Sequence, residues 1–150
     1  MKQLDVYTSD YFMREALRLA KRAFEEGEIP VGAVVVYENK IIARAWNQTE
    51  LLKDPTAHAE MLAITTATQE IGGKYLKGCN LYVTLEPCIM CAGAIGWAQL
   101  SGLHFGASDL KKGYRLTKGQ ILHPKTKVEA GILDIECEEI LKSFFHKLRN

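Results

Sequence analysis

The sequence lacks any uninterrupted apolar run close to the roughly 20 residues that a membrane-crossing helix needs. Its first residues, Met1 to Asp5, lack the apolar stretch of a secretory leader. These two absences set the expectation of a cytoplasmic protein with no membrane partner. Cysteine is scarce, with four in 150 residues. In a reducing compartment such a small set points to metal binding or catalysis before disulfides. No internal repeat and no low-complexity tract is present, which excludes solenoids and biased linkers. What is there is ordinary for a globular chain: 47% hydrophobic and 25% charged residues. The length fits one domain, expected to run over residues 1–150.

Acidic residues are missing from one stretch. Between Lys111 and Lys127 there are six basic residues, Lys111, Lys112, Arg115, Lys118, Lys125 and Lys127, and no Asp or Glu. The rest of the chain holds 13 basic and 18 acidic residues, so a positive segment sits on a negative body. Such a segment is an electrostatic footprint for nucleic acid. A solvated loop with several lysines has the same composition, and charge alone does not separate the two.

Periodicity gives alternating helices and strands. Phe12, Ala16, Leu19, Ala20, Ala23 and Phe24 recur at helical spacing, predicting a helix over about Ser9 to Glu26. Ser9 or Asp10 can cap its start and Gly27 can end it. Val31 to Tyr37 and Lys40 to Trp46 read as strands joined by Glu38-Asn39, a turn without the usual glycine. A helix is expected from about Ala57 to Glu70, ended by Gly72-Gly73. A strand follows from Leu81 to Leu85. A helix opens at Pro87, a residue suited to a first helical position. Short strands are expected at Leu103–Gly106 and Val128–Leu133. The last helix would bury Ile140, Leu141, Phe144, Phe145 and Leu148. Trp46, Trp97 and Phe105 are expected in the core. The order indicates an α/β sandwich with an antiparallel start and parallel crossovers after it.

Two short motifs carry chemistry. His58-Ala59-Glu60 precedes Pro87-Cys88-Ile89-Met90-Cys91. His58, Cys88 and Cys91 are three ligands of the kind zinc prefers, while a structural zinc site normally takes four. Each motif opens a predicted helix, where the partial positive charge favours thiolate over thiol. Glu60, two residues from His58, is placed to move protons. A fourth protein ligand would close the site, and Cys79, Cys137, His104 and His123 are the candidates. Cys79 begins a strand and Cys137 lies in the last helix beside apolar neighbours, so both read as packed cysteines. Neither histidine has a partner at ligand spacing. A redox Cys-x-x-Cys would not require the His-x-Glu that precedes it. The combined H-x-E…P-C-x-x-C pattern is the known signature of zinc deaminases.

On these residues the chain resembles the cytidine/deoxycytidylate deaminase superfamily, and within it the bacterial tRNA-specific adenosine deaminases. The resemblance runs from about Tyr11 to Arg149. It includes Glu28 to Ala33, Asp54 to Met61, Leu81 to Ala94, Phe105 to Asp109, and Glu136-Cys137 with Phe144-Phe145. It implies a three-layer α-β-α sandwich of the cytidine deaminase type, with a central mixed sheet of about five strands. It implies one Zn2+ per subunit on His58, Cys88 and Cys91, with Glu60 as the catalytic proton shuttle. Asn47, Val31 and Ala59 would contact the substrate base. Asp109 and Lys111 would lie on the loop facing a tRNA anticodon stem-loop, within a homodimer. The chain departs from the family at Gly96-Trp97-Ala98-Gln99, where a basic residue is common, and at His123 to Lys127, where an Asn-His pair is common.

The function expected is zinc-dependent hydrolytic deamination of adenosine to inosine at the wobble position of tRNA anticodons. A free nucleobase deaminase acting on guanine or cytosine would share the same core motifs. A non-catalytic, zinc-stabilised RNA-binding subunit would not need Glu60.

Overall fold

The computed structural model describes residues 8–150, so the reading that Met1 to Asp5 lack a secretory leader lies outside the described residues. Strand β1 (Gly32–Tyr37) is buried over most of its length, and its side chains alternate between two faces. Ala33 and Val35 join one apolar cluster, and Val34 and Val36 join another. A strand buried on both faces needs a layer of helices on each, which is what the chain supplies.

Helix α1 (Ser9–Glu25) covers the Val34 and Val36 face with Phe12, Met13 and Ala16. Its cap is Thr8, whose Oγ1 accepts the Tyr11 N–H (3.3 Å), one residue before the expected Ser9. Ser9 Oγ is turned elsewhere, donating to Glu129 Oε1 at 2.8 Å. Gly27, with φ of 79°, ends the helix as expected. Gly32 lies where α1 crosses β1, and a Cβ there would collide with the backbone of Ala16 and Ala20.

Strand β2 (Lys40–Trp46) pairs antiparallel with β1 through Glu38-Asn39. Both turn residues have positive φ, 51° and 63°, so the tight turn forms without glycine. Helix α2 (Ala59–Ile71) then packs Ala59, Ala63 and Ala67 on the Ala33 and Val35 face. Strand β3 (Cys79–Leu85) starts two residues earlier than expected and pairs antiparallel with β1. Helix α3 (Ile89–Ala98) lies on the same face as α2, through Ala92, Ile95 and Ala98. Strand β4 (Gly102–Ala107) runs parallel to β3, and β5 (Lys127–Ala130) parallel to β4. Helix α4 (Asp134–Arg149) returns to the α1 face through Cys137. The five-stranded order is β2-β1-β3-β4-β5, between α1 and α4 on one side and α2 and α3 on the other. This is the three-layer mixed sandwich expected.

Four expectations are corrected. β5 stops at Ala130, because Gly131 (φ 84°) and Leu133 (φ 53°) turn the chain into α4. Phe145 and Leu148 are exposed, since α4 buries Cys137 against the sheet and Phe144 against Phe24 of α1, and little beyond them. Trp97 is 82% exposed, because α3 turns Ala92, Ile95 and Ala98 to the sheet instead. Trp46 is half-buried outside the core, its Nε1 donating to Glu26 Oε1 (3.0 Å) under the Arg22 guanidinium. Phe105 is fully buried, as expected.

The exposed strand β5 is held to the sheet by side chains as well as its ladder. His104 stacks on Tyr82 and bonds Asn80 Oδ1 through Nε2 (2.9 Å) and Glu129 Oε1 through Nδ1 (2.7 Å). Burial opposes ionisation of Glu129, but the bonds from His104 and Ser9 outweigh it and hold the carboxyl below its ordinary 4.5. A depressed carboxylate stabilises the fold above its unfolded pKa and loses that contribution as pH falls through its folded pKa. Glu129→Gln is therefore expected to lower the urea midpoint modestly near neutral pH, and the difference from the parent protein to vanish in acid. Urea titrations at several pH values measure it.

Candidate active site

Two helix starts meet at one point. His58 is the N-cap of α2 and Cys88 the N-cap of α3, each one step outside the first turn where the sequence places it. Pro87 accordingly precedes the cap and does not open the helix. His58 is set by a turn in which Asp54 Oδ1 accepts both the N–H and the Oγ1–H of Thr56, each at 2.8 Å. The His58 N–H then donates to the Thr56 carbonyl at 2.8 Å. Cys88 follows directly from the end of β3, and Cys91 is one turn further along α3.

His58 Nδ1 lies 3.4 Å from Cys91 Sγ and 3.6 Å from Cys88 Sγ. A tetrahedral ion with the usual zinc–sulfur and zinc–nitrogen bonds separates such atoms by about 3.5 Å, so the three residues fit the metal. Among the described residues, no other metal-binding cluster of three or more His, Cys, Asp or Glu side chains forms, and this one has no fourth member. Cys79 is buried at the start of β3, and the Cys137 thiol faces the Ile132 carbonyl. His104 is engaged with Glu129 and Asn80, and His123 Nδ1 accepts the Lys125 N–H. A three-ligand site of this kind leaves a coordination position for another molecule.

The titratable groups at this point lie within a few ångströms of one another. Hydrogen bonds from Cys91 first, and from His58, hold the Cys88 thiol down to about 3 against the opposing effect of burial. Cys91 is pushed far up by its bond to Cys88 and by burial. His58 is raised by the neighbouring Cys88 and Glu60. Glu60, in the first turn of α2 and only 4% exposed, is pushed up to about 7 by burial. It can therefore hold or release a proton near neutral pH.

His58, Glu60 and Cys88 line a cavity of about 210 Å3, and Cys91 lies behind them. Ile29, Val31, Ala59 and Leu85 form its apolar walls, and Asn47, Glu60, Glu86, Asp109 and Lys112 its polar ones. Asn47, 6% exposed, donates from Nδ2 to the Ile29 carbonyl at 3.3 Å. Its Oδ1 is buried with no hydrogen-bond partner among the described residues, which is costly unless a ligand supplies a donor. Thus the structure gathers His58, Cys88, Cys91, Glu60, Asn47, Val31, Ala59 and Asp109. Lys111 does not line the cavity, and Lys112 does. Asp109 turns Oδ1 inward to accept the N–H groups of Lys111 (3.1 Å) and Lys112 (3.0 Å).

Sequence reasoning passed over two buried carboxylates beside the cavity. Glu28 accepts the N–H groups of Glu50 (3.0 Å) and Leu51 (2.8 Å), fixing the loop after Asn47. Glu86 accepts the Asp109 N–H (3.0 Å) and the Arg115 N–H (3.1 Å). The available signal was a charged residue placed directly against an apolar segment, Ile29-Pro30-Val31 in one case and β3 in the other.

An α-β-α sandwich with His and Cys-x-x-Cys ligands at facing helix starts and a buried Glu beside them defines a deaminase-type site. A family model, the MafB19-like deaminases, matches residues 8–149. A tRNA-specific adenosine deaminase of Aquifex aeolicus is 50% identical over 146 residues, covering 94% of this chain and 96% of its own. A solved structure from work on A-to-I editing by tRNA:A34 deaminases at the wobble position of transfer RNA superposes with a TM-score of 0.82. It is 42% identical, and the match covers 87% of this chain and 99% of that one. A guanine deaminase structure from Bacillus subtilis is 41% identical with a TM-score of 0.62, over 65% of this chain and 62% of that one. The chain belongs to the tRNA-specific adenosine deaminase family.

Replacing a ligand should release the metal, whereas replacing Glu60 should not. His58→Ala, Cys88→Ser and Cys91→Ser are each expected to weaken metal affinity at least about tenfold. Glu60→Gln should keep the parent metal content, and elemental analysis of the purified variants measures the difference.

Proposed function

We propose that residues 1–150 form a single hydrolytic deaminase domain that converts adenosine to inosine at the wobble position of tRNA anticodons. The observation that carries the chemistry is the His58, Cys88 and Cys91 cluster set against a cavity that the buried Glu60 also lines. His58, Cys88 and Cys91 would hold zinc, which when bound acidifies a water and so supplies the nucleophile. Glu60 takes a proton from the attacking water and delivers it to the adenine ring nitrogen. It then moves a proton to the amino group that leaves C6 as ammonia, so water and adenosine give inosine and ammonia. Asn47 offers its unpartnered Oδ1 to a donor on the base. Val31, Ala59 and Leu85 give the flat ring apolar walls. The base enters flipped out of its loop, as deamination of a nucleic acid requires.

The RNA substrate is supported by the named relatives and by exposed Lys112, which lines the cavity, with exposed Lys111 next to it in the chain. A homodimer is supported by exposed Ile89 and Trp97 on α3, next to a hollow formed with Ile121 and Leu122. A cytoplasmic location agrees with this substrate, and no described helix is long and apolar enough to cross a membrane. The likeness to a guanine deaminase favours a second reading, deamination of a free base such as guanine or cytosine at the same site.

Mass spectrometry of anticodon stem-loop RNA, adenosine, guanine and cytosine, each incubated with zinc-loaded protein, separates these readings. Inosine at the wobble position is expected. Turnover of a free base without RNA editing would overturn the RNA reading. Glu60→Ala is expected to lose about 10²–10⁴-fold or more in rate while retaining its metal. Surviving activity in that variant would rule out the proton shuttle.

A further inference from the structure

Arg115 is one of the six cations of the basic segment, yet its charge is already engaged. Its Nη2 donates to Glu86 Oε1 at 3.0 Å and to Ser108 Oγ at 2.8 Å. Its guanidinium lies 4.8 Å from the centre of the buried Phe105 ring. Its backbone N–H reaches the second oxygen of Glu86. Because the same carboxylate also accepts the Asp109 N–H, one side chain grips both ends of the loop from Asp109 to Arg115. Glu86 is only 4% exposed, so its charge would be costly without these partners.

The middle of the loop is fixed from the same point. Gly113 bridges to Cys88, and the Tyr114 N–H donates to the Pro87 carbonyl at 2.9 Å. A Cβ on Gly113 would collide with the Glu86 carboxylate. Asp109 closes the remaining turn by accepting the amides of Lys111 and Lys112. Lys112 is thereby brought to the cavity wall, while Glu86 itself follows directly on β3 and precedes the metal-site helix. The loop carrying the cation is thus referenced to the strand end that also places Cys88.

We propose that Glu86 is a specificity-determining positioning residue, which holds Lys112 at the cavity and so favours a phosphate-bearing RNA substrate over a free base. This rests on the deaminase reading above. Glu86 acts through the loop, and it moves no proton in the reaction. Removing its charge would loosen Arg115 and leave a single acceptor oxygen for the Asp109 and Arg115 N–H groups, and Lys112 would no longer occupy one place.

Steady-state kinetics with anticodon stem-loop RNA test it, using Glu86→Gln, Lys112→Ala and the double variant. Glu86→Gln is expected to raise KM about tenfold, a loss of one well-placed charged contact, with kcat falling less. The slope of log affinity against log salt should shrink by about one phosphate contact. The double variant should be no worse than either single one, because both remove the same interaction. Additive losses, an unchanged KM, or loss of bound metal in Glu86→Gln would overturn the proposal. If Glu86→Gln does not fold, Arg115→Gln removes the side-chain half of the grip while the backbone bonds to Glu86 stay, and a smaller rise in KM is expected from it. Backbone amide exchange over residues 109–115 reads the latch without any substrate, and no acceleration in the variants would overturn it. Absence of inosine from the parent protein would instead bring down the deaminase reading, with the exchange result still deciding the latch.

Discussion

The parallel pairing of β3 with β4 is the constraint on which the site depends. It sets Leu85 opposite Ala107, so both strands release the chain at the same edge of the sheet. One exit leads within three residues to Cys88 and the start of α3. The other leads to Ser108, Asp109 and the basic loop. Ligand sites in open α/β sheets lie outside the carboxyl ends of parallel strands for this reason. The metal-ligand cluster and the cation-bearing loop are therefore consequences of one ladder of backbone hydrogen bonds. The Glu86 N–H, donating to the Ala107 carbonyl at 2.8 Å, is the rung where the ladder ends and the site begins.

Across the cavity the antiparallel neighbour β1 supplies a second reference. The Asn47 N–H donates to the Val31 carbonyl, and the Gly32 N–H to Thr84 Oγ1, tying β1, the end of β2 and β3 together at the cavity's edge. Gly32 lets α1 lie against this junction without a side chain between them. Rigid placement matters for a carboxyl such as Glu60, whose proton affinity is set by burial and by neighbours a few ångströms away. A small opening of the site would let water in and return that carboxyl toward its ordinary range.

The cluster of His58, Cys88 and Cys91 and the Glu60 beside it were legible in the sequence because their chemistry is local. Two motifs of three and five residues contain all four side chains, and each lies at a helix start. The order of elements was legible for the same reason, since alternating faces and helical spacing are written in neighbouring residues. Exposure of Trp97, Phe145 and Leu148 was not, because it depends on which side of a helix meets the sheet. The roles of Glu28 and Glu86 were hidden differently. Each binds backbone amides more than 20 positions away, and an amide carries no residue-specific mark. Arg115 read as one cation among six because its partner lies 29 residues earlier.

Both loops flanking the cavity are gripped mainly through main-chain N–H groups, by Glu28 on one side and Glu86 on the other. Every residue except proline brings such a group. The side chains at positions 50 and 51, held by Glu28, and at 111, whose N–H is held by Asp109, are therefore largely exempt from the task of keeping the loops in shape. Such a scaffold can exchange its outward-facing surface while the pocket behind it keeps its dimensions. One zinc-type chemistry could then be presented to different nucleobase carriers by substitutions that never enter the core.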